Sequence, residues 1–337
     1  MKNIFILFSV LFFVIFFAGN AKAQDFNPSI LLDNSITVEF NPVAPKANSQ
    51  VNAVASSYNI DLNSANISWF VGGKKQVSGI GLTSFSFFSG DIGKTTTISM
   101  IVTTKDGQNI QKTFNIMPAE VDLIWETDGY TPPFYQGKSL FSHEGKLKFV
   151  AIPHILSANG KEIPASQLSY KWTKNGTVLG DFSGYGKNTY IMLGSIISIP
   201  IDMQVEVTNT SGDIIAKAET TVTPTDPKIV FYKRDPLYGI QLQNSIKTNE
   251  IMTDKEIDVL AEPLYFSTND VSLGNLQYNW KINNQDISNN ALKNERIFRS
   301  TSNISGTSNI FLSINNISKI LQTADESFSL KFNSNNQ

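Results

Sequence analysis

The residues that could carry acid–base or metal chemistry are few in this chain. Its 337 residues include two histidines, His143 and His154, and no cysteine. A Ser–His–Asp triad would need one of these histidines, but no G-x-S-x-G nucleophile elbow occurs in the sequence. Zinc is disfavoured as well, because there is no H-E-x-x-H motif and no dense His/Cys cluster. The sequence therefore predicts a protein that is not an enzyme, with a hydrolase built on one of the two histidines as the least favoured alternative.

Carboxylates concentrate in one short stretch, at Glu120, Asp122, Glu126 and Asp128. Carboxylate oxygens are the ligands that Ca²⁺ prefers, and this stretch falls where one expected module meets the next. Alternate residues of a strand share one face, however, so the same four side chains also fit a solvated surface. We expect no cofactor, and calcium at these four residues stays an open alternative.

A stretch rich in aromatic residues and proline is the best candidate for binding. It runs over residues 130–138, and its two prolines favour a stiff, extended backbone that suits a protein contact. A shorter stretch of similar composition at residues 235–239 favours a structural role instead, such as an edge that packs on the preceding module. Both interpretations stay open for the partner-binding candidates, which are Trp125, Tyr130, Pro132, Pro133, Phe134 and Tyr135.

A short tryptophan motif recurs three times. The copies read Ile-Ser-Trp69-Phe-Val-Gly-Gly, Tyr-Lys-Trp172-Thr-Lys-Asn-Gly and Tyr-Asn-Trp280-Lys-Ile-Asn-Asn. The tryptophans are 103 and 108 residues apart, which is the length of one small β-sandwich domain. The apolar residue two positions before each tryptophan shares its face of a strand, and the Gly/Asn pair fits a tight turn with left-handed backbone angles. We therefore interpret Trp69, Trp172 and Trp280 as core residues of three modules of one kind, rather than as exposed platforms for sugar.

This motif, placed after a strand rich in Val and Ala, resembles that of tandem bacterial Ig-like and PKD-like β-sandwich modules. Together with the Tyr-Thr-Pro-Pro-Phe-Tyr-Gln-Gly-Lys segment at 130–138, the layout of the chain resembles that of multi-module exported proteins of the bacterial envelope. The resemblance implies a fold and a location, but no ligand, because this fold hosts many unrelated roles.

The domain organisation follows from short alternating apolar runs with turn residues every eight to twelve positions, which is an all-β pattern. We expect a signal peptide at 1–23 and three tandem Ig-like/PKD-like β-sandwich domains at 25–118, 119–226 and 227–337. Pro118 and Pro224 mark module ends, because proline cannot continue a central strand. Short linkers that contain proline predict a semi-rigid rod. Residues 315–322 are expected to form a short helical turn.

The first 23 residues have the features of a cleavable export signal. Lys2 precedes an apolar run over residues 4–17, and Ala-Lys22-Ala forms a cleavage site. The run is shorter than the roughly 20 residues of a membrane-spanning helix, which favours cleavage over a retained anchor. We expect an exported protein in an extracellular, cell-surface or periplasmic location, with no further membrane span.

Composition narrows the possible partners. The chain has 27 Lys and Arg against 29 Asp and Glu, and cleavage would also remove Lys2 and Lys22, giving a net charge of −4. Such a near-neutral chain has no basic field for nucleic acid. Without cysteine, each module must be stabilised by its hydrophobic core rather than by disulfides.

These observations lead to two main hypotheses about function. The favoured one is a non-enzymatic envelope or surface protein, acting as a multi-domain scaffold or as an adhesion and protein-interaction module. Its partner would be another envelope or surface protein, or a surface glycan. The alternative is a carbohydrate- or ligand-binding accessory protein that uses exposed aromatic residues as its platform.

Overall fold

The computed structural model describes residues 36–133, 135–157, 159–288, 293–300 and 305–332. The expected signal peptide at 1–23 and the candidate residue Phe134 lie outside these ranges.

The first module is a sandwich of two antiparallel sheets. One sheet has the strand order β1-β2-β5 and the other has the order β4-β3-β6-β7. Trp69 lies on β3 and stacks on Phe85 of β5 across the sandwich, with ring centroids 5.6 Å apart. The strands are β1 (Ile36–Asn41), β2 (Gln50–Ser57), β3 (Asn66–Val71), β4 (Lys74–Ile80), β5 (Ser84–Phe88), β6 (Thr96–Thr103) and β7 (Asn109–Ile116).

The second module repeats this arrangement. Its sheets have the orders β13-β9-β8 and β11-β10-β14-β15, and the short β12 also pairs with β10. Two 3₁₀ turns, Ala165–Gln167 and Gly180–Phe182, flank β10 and β11. The strands are β8 (Glu120–Thr127), β9 (Lys146–His154), β10 (Ser169–Lys174), β11 (Thr177–Val178), β12 (Gly184–Tyr185), β13 (Thr189–Leu193), β14 (Ile201–Thr208) and β15 (Ile215–Val222).

The third module has the sheet orders β17-β16-β19-β22 and β18-β24-β23-β20-β21, and β18 runs parallel to β24. A short helix α1 (Thr268–Leu273) connects the two sheets and ends at Gly274, whose left-handed backbone terminates it. The strands are β16 (Lys228–Asp235), β17 (Gly239–Ile246), β18 (Asn249–Met252), β19 (Glu256–Leu264), β20 (Leu276–Ile282), β21 (Gln285–Asp286), β22 (Glu295–Arg299), β23 (Gly306–Asn316) and β24 (Thr323–Phe332).

Three separate hydrophobic clusters fill the three sandwiches. Their buried members come from residues 36–110, 119–222 and 229–330. Met117, which the sequence placed at the end of the first module, packs against the second cluster. Paired sheets around such cores are the architecture of Ig-like sandwiches, and the all-β prediction of tandem Ig-like domains is confirmed.

Residues 317–321 differ from the sequence prediction. They form two successive hydrogen-bonded turns rather than a helical segment, with Lys319 N–H donating to the carbonyl of Asn316 and Gln322 N–H to that of Lys319. The strands on either side, β23 and β24, pair directly with each other, so the connection must reverse the chain.

Candidate functional site

The three tryptophans of the repeat occupy equivalent positions in the three cores. Trp69 and Trp172 are fully buried and Trp280 is 1% exposed. Each indole N–H donates to a backbone carbonyl 13 to 15 residues later, at 2.9–3.0 Å; the acceptors are Leu82, Lys187 and Lys293. A buried indole needs such a partner, so these side chains are anchored on both their apolar and their polar sides.

Tight turns follow all three tryptophans. The two central residues of each turn have positive φ: 55° and 77° at Gly72 and Gly73, and 47° and 78° at Asn175 and Gly176. The third copy has 47° and 67° at Asn283 and Asn284. Two successive positive φ values define the type I′ hairpin turn, which Gly and Asn tolerate best. The Gly/Asn pair therefore has a conformational role.

The four candidate calcium ligands share no partner with one another. Glu120 accepts a long hydrogen bond of 3.4 Å from the backbone of Ala47. Asp122 contacts His154 at 3.0 Å, and Glu126 pairs with Lys148 at 2.7 Å. Asp128 accepts a hydrogen bond from the backbone N–H of Lys146 at 2.6 Å and another from the hydroxyl of Ser267 at 3.2 Å. The structure therefore does not bring the four carboxylates together. In the described part of the chain, no group of three or more His, Asp or Glu side chains is arranged to hold a metal ion.

Each histidine is paired with an aspartate. His143 is buried, and its Nε2 lies 3.2 Å from Oδ1 of Asp226; its Nδ1 has no hydrogen-bond partner among the described residues. His154 Nε2 lies 3.0 Å from Asp122 at the surface. In neither case does a serine hydroxyl complete the arrangement that a hydrolytic triad requires, as far as the described residues go.

The aromatic segment that begins at Tyr130 contacts the third module. Tyr130 N–H donates to the carbonyl of Phe266 at 2.6 Å, and Tyr265 N–H donates back to the carbonyl of Tyr130 at 2.7 Å. Beside them, Gly129 forms an antiparallel bridge with Ser267. A Cβ at Gly129 would lie 2.7 Å from the carbonyl oxygen of Leu140, so only glycine fits there. These bonds go to the module that follows, whereas the sequence analysis suggested an edge that packs on the preceding module.

Side chains extend this backbone contact. The hydroxyl of Tyr130 donates to Oε2 of Glu262 at 2.9 Å, and the hydroxyls of Tyr135 and Tyr265 lie 2.7 Å apart. Tyr265 adopts a φ of 68°, which is strained for a bulky residue and costs roughly 1–3 kcal/mol.

Three further candidates, Pro132, Pro133 and Trp125, belong to the same module as Tyr130. Pro132 is buried and Pro133 is exposed. Trp125 is half-buried against the core of its own module, and the ammonium of Lys138 lies 3.1 Å from the centroid of its ring. That short distance indicates a cation–π interaction over the outer face of the indole.

Glu262 gives this contact its electrostatic character. It is 7% exposed, and burial raises the pKa of its carboxyl, an effect that the hydrogen bond from Tyr130 opposes. Burial and the nearby Glu262 charge raise the pKa of Tyr278 to about 12 and also raise the pKa of Tyr130. The carboxyl of Glu262 and the phenol groups of Tyr130 and Tyr278 thus form one polar cluster that spans the two modules.

A second contact lies at Gln322, which is fully buried. Its Oε1 accepts from the N–H of Ser267 and from the side chain of Asn316, both at 3.0 Å. Its Nε2 donates to the hydroxyl of Ser142 at 3.1 Å and to the carbonyl of His143 at 2.9 Å. All four hydrogen-bonding positions of the amide are therefore filled, two of them by the second module.

Sequence reasoning selected Tyr130 and Tyr135 but missed their partners. Glu262, Tyr265 and Gln322 lie 130 to 180 residues away from the groups that they bind. One signal was available for Glu262, because it carries a charge in the apolar strand β19, where the neighbouring positions 259–264 are all buried or nearly so. Gln322 had no comparable local signal.

No protein-family model and no curated protein sequence matches the chain. Among solved structures, the fibronectin(III)-like modules of Clostridium thermocellum CbhA are 12% identical over 56% of this chain and 94% of theirs, with a TM-score of 0.27. The central fibronectin-III array of RIM-binding protein is 14% identical over 88% and 94%, with a TM-score of 0.27.

A third similar structure is SGBP-B of the Bacteroides ovatus mixed-linkage glucan utilization locus, in complex with a mixed-linkage heptasaccharide. It is 11% identical over 88% of this chain and 70% of its own, with a TM-score of 0.23. Similarities at these scores carry no argument about function, and the strand pairing described above defines the fold. Among the described residues, no helix is both long and apolar enough to cross a bilayer.

Proposed function

We propose that this protein is a non-enzymatic, exported envelope or surface protein that acts as a multi-module scaffold. One observation carries the proposal: the second and third modules are joined by a polar junction in which Glu262 and Gln322 are buried. We define this junction as Tyr130–Glu262, Tyr135–Tyr265 and the amide of Gln322 with Ser142 and His143.

A junction of this kind favours a fixed angle between modules. Bending it would expose or unpair the Gln322 amide and the Glu262 carboxyl, and each buried polar group left without a partner costs about 1–3 kcal/mol. Modules that move freely usually meet through smaller, solvated contacts. A rigid pair of sandwiches suits a protein that holds other components at a set distance.

The sequence supports the exported location. The apolar run with its cleavage site predicts export, and the absence of cysteine is compatible with either redox compartment. The near-neutral charge suits contact with protein or glycan rather than with nucleic acid.

The proposed partner is another envelope or surface protein that contacts the junction from outside. Pro133 is exposed and Tyr135 is 36% exposed, so both present surface there, although the Tyr135 hydroxyl is bound to Tyr265. Among the described aromatic candidates, Trp125 contacts Lys138, Tyr130 binds Glu262 and Tyr135 binds Tyr265, so each is engaged within the protein itself. This arrangement favours the scaffold over the carbohydrate-binding alternative.

The rigidity can be measured with spin labels, because the chain has no native cysteine. Labels at exposed Val178 in the second module and exposed Tyr238 in the third should give a narrow distance distribution by pulsed electron resonance. Gln322→Ala combined with Tyr130→Phe should broaden it, while a pair at Val178 and Lys217, both within the second module, should stay unchanged. A distribution in the unaltered junction as broad as that of a flexible linker would overturn the rigid-scaffold proposal.

The location and partner need a separate measurement. A photo-crosslinking amino acid at Pro133, introduced in intact cells, should capture one envelope protein, while the same group at fully exposed Tyr58 should not. Recovery of the chain in the cytoplasm contradicts export. Quenching of Trp125 fluorescence by members of a glycan panel, without capture of a protein, would favour the carbohydrate-binding alternative.

A further inference from the structure

An edge of the second module exposes an unusual amount of aliphatic surface. The side chains are Ile191, Leu193, Ile196, Ile197 and Ile199, which are 45–71% exposed. We call these five residues the isoleucine edge. They belong to β13 and to the seven residues that follow it, and residues 188–200 contain no charged side chain.

Strand β13 pairs on one side with β9 and, among the described strands, with no other. Ala151 N–H donates to the carbonyl of Asn188, and Gly194 N–H donates to that of Gly145. Because the direction of backbone groups alternates along an antiparallel strand, the even-numbered residues of β13 face β9. The N–H and C=O groups of Thr189, Ile191 and Leu193 therefore point to the open edge.

Natural sheets usually protect such an edge with charged residues, proline or a bulge. β7 and β15, at the edges of other sheets here, carry Lys112 and Lys217. The isoleucine edge has no such protection within its strand. An uncharged edge strand with exposed aliphatic side chains on it and on the residues that follow is the surface expected of a strand that pairs with another.

We infer that this edge binds a second copy of the same chain by antiparallel pairing of β13 with β13. A two-fold axis at Ile191 sets Ile191 opposite its own copy and Thr189 opposite Leu193 of the other chain. All three residues with open backbone groups then exchange hydrogen bonds, and the two three-stranded sheets become one sheet of six strands. The same patch serves both copies, as a two-fold interface requires.

Electrostatics permit this arrangement. The nearest cations on the same sheet face are Lys146 and Lys148 of β9, and Lys148 is neutralised by Glu126 at 2.7 Å. In the paired sheet, β9 and its copy are three strand spacings apart, roughly 14 Å. That separation exceeds the Debye length of about 8 Å at physiological ionic strength, so repulsion between the lysines is screened.

The small size of the proposed interface determines how tightly the two copies should bind. The isoleucine edge and its strand involve roughly ten residues per copy, against about 20–30 in a stable interface of standard size. The dimer should accordingly be weak in dilute solution and favoured where many copies share one surface.

Self-association can be followed by sedimentation velocity on the full mature chain over a hundredfold range of concentration. We expect a monomer at the low end and a dimer at the high end. Ile191→Lys and Leu193→Lys should each weaken association at least tenfold without lowering the melting temperature. Ile80→Lys, a matched change on the exposed edge strand β4 of the first module, should have no effect.

Engineered cysteines test the register, since the chain has none of its own. Ile191→Cys should form an intermolecular disulfide under mild oxidation by diamide, because directly opposite Cβ atoms lie about 5 Å apart. Thr189→Cys alone should not, as the two copies would be roughly 13 Å apart along the strands. Thr189→Cys combined with Leu193→Cys should cross-link again.

Two results would overturn the inference. One is a monomer throughout the concentration range. The other is cross-linking of Ile191→Cys no faster than that of Ile80→Cys, which would show that any association uses a different surface. Binding of an unrelated apolar peptide to the isoleucine edge, without self-association of the chain, would also contradict the inference.

Discussion

Gln322 in the third module donates its side-chain amide to the carbonyl of His143 in the second, at 2.9 Å, although 179 positions separate them in the sequence. The same amide donates to Ser142 and accepts from Ser267, and it has no exposed surface. Since an amide can form a limited set of bonds in fixed directions, a fully bonded one at a boundary specifies how the two surfaces meet. This residue thus links the stability of one module to that of the next.

Replacing Gln322 by Ala tests that link. The change leaves the N–H of Ser267 and the carbonyl of His143 buried without this partner, so we expect a loss of about 2–4 kcal/mol in the free energy of unfolding. Urea denaturation should also separate into distinct transitions for the second and third modules. Gln285→Ala, at an exposed position on β21, should change stability by less than about 0.5 kcal/mol. A cooperative transition with unchanged midpoint would show that the amide does not couple the modules.

How much of this could be predicted from sequence depends on the range of the interactions. The role of the tryptophan motif could be predicted, because strand alternation and the I′ turn depend on residues that are close in sequence, such as Trp172 and Gly176. The junction between the second and third modules could be predicted only in part from the sequence. Tyr130 was selected for its composition, but its partner Glu262 lies 132 positions away, and no local pattern specifies such a pairing.

The residues of 315–322 illustrate the same limit. Their composition permits a helical turn, but the pairing of β23 with β24 on either side imposes a reversal of the chain. Tertiary pairing therefore overrides local preference. The acidic stretch is a further case: alternation correctly puts Asp122 and Glu126 on one face of β8, yet their partners His154 and Lys148 come from β9.

The tryptophan of the second module offers a direct measure of core packing. Trp172→Ala should lower the free energy of unfolding by about 3–5 kcal/mol, because it opens a cavity and leaves the carbonyl of Lys187 without its indole donor. Trp172→Phe should cost less, since most of the apolar volume remains. Trp125→Ala is the matched control: that ring is only half-buried, so its loss should be smaller. A Trp172→Ala protein that melts like wild type would contradict the core assignment.

Glu262 should make stability depend on pH. Burial raises the pKa of this carboxyl above the ordinary value of 4.5. In the window between the unfolded and folded pKa values, the folded state binds more protons than the unfolded state, so the free energy of unfolding falls as pH rises. Glu262→Gln keeps an acceptor for Tyr130 and removes the charge, so it should raise the melting temperature at pH 7.

That gain should shrink as the pH falls below 4.5, because the wild-type carboxyl then becomes protonated in both states. Glu39→Gln, an exposed change on β1, serves as the control and should give a difference that varies little with pH. Equal melting temperatures for wild type and Glu262→Gln at pH 7 would mean that the carboxylate is tolerated at the junction without cost.

Asp270 should have the opposite dependence on pH. Burial acts to raise the pKa of its carboxyl, but hydrogen bonds from Asn316, Asn275 and Lys319 outweigh burial and lower the pKa to about 2. A depressed folded pKa adds stability that is present above the unfolded value of 3.8 and is lost as pH falls towards 2. The size of the shift corresponds to about 2 kcal/mol. Asp270→Asn should therefore be less stable than wild type at pH 5 by about this amount, with the difference narrowing at pH 2.

Urea denaturation of both proteins between pH 5 and pH 2 measures this effect. Asp106→Asn, in the exposed hairpin of the first module, provides a carboxylate change without buried partners. If the difference between wild type and Asp270→Asn stayed constant over this range, the loss would arise from packing or from the amide hydrogen bonds rather than from the carboxylate charge. A difference that closes with acid would instead identify the ion pair with Lys319, at 3.0 Å, and the two asparagine bonds as its source.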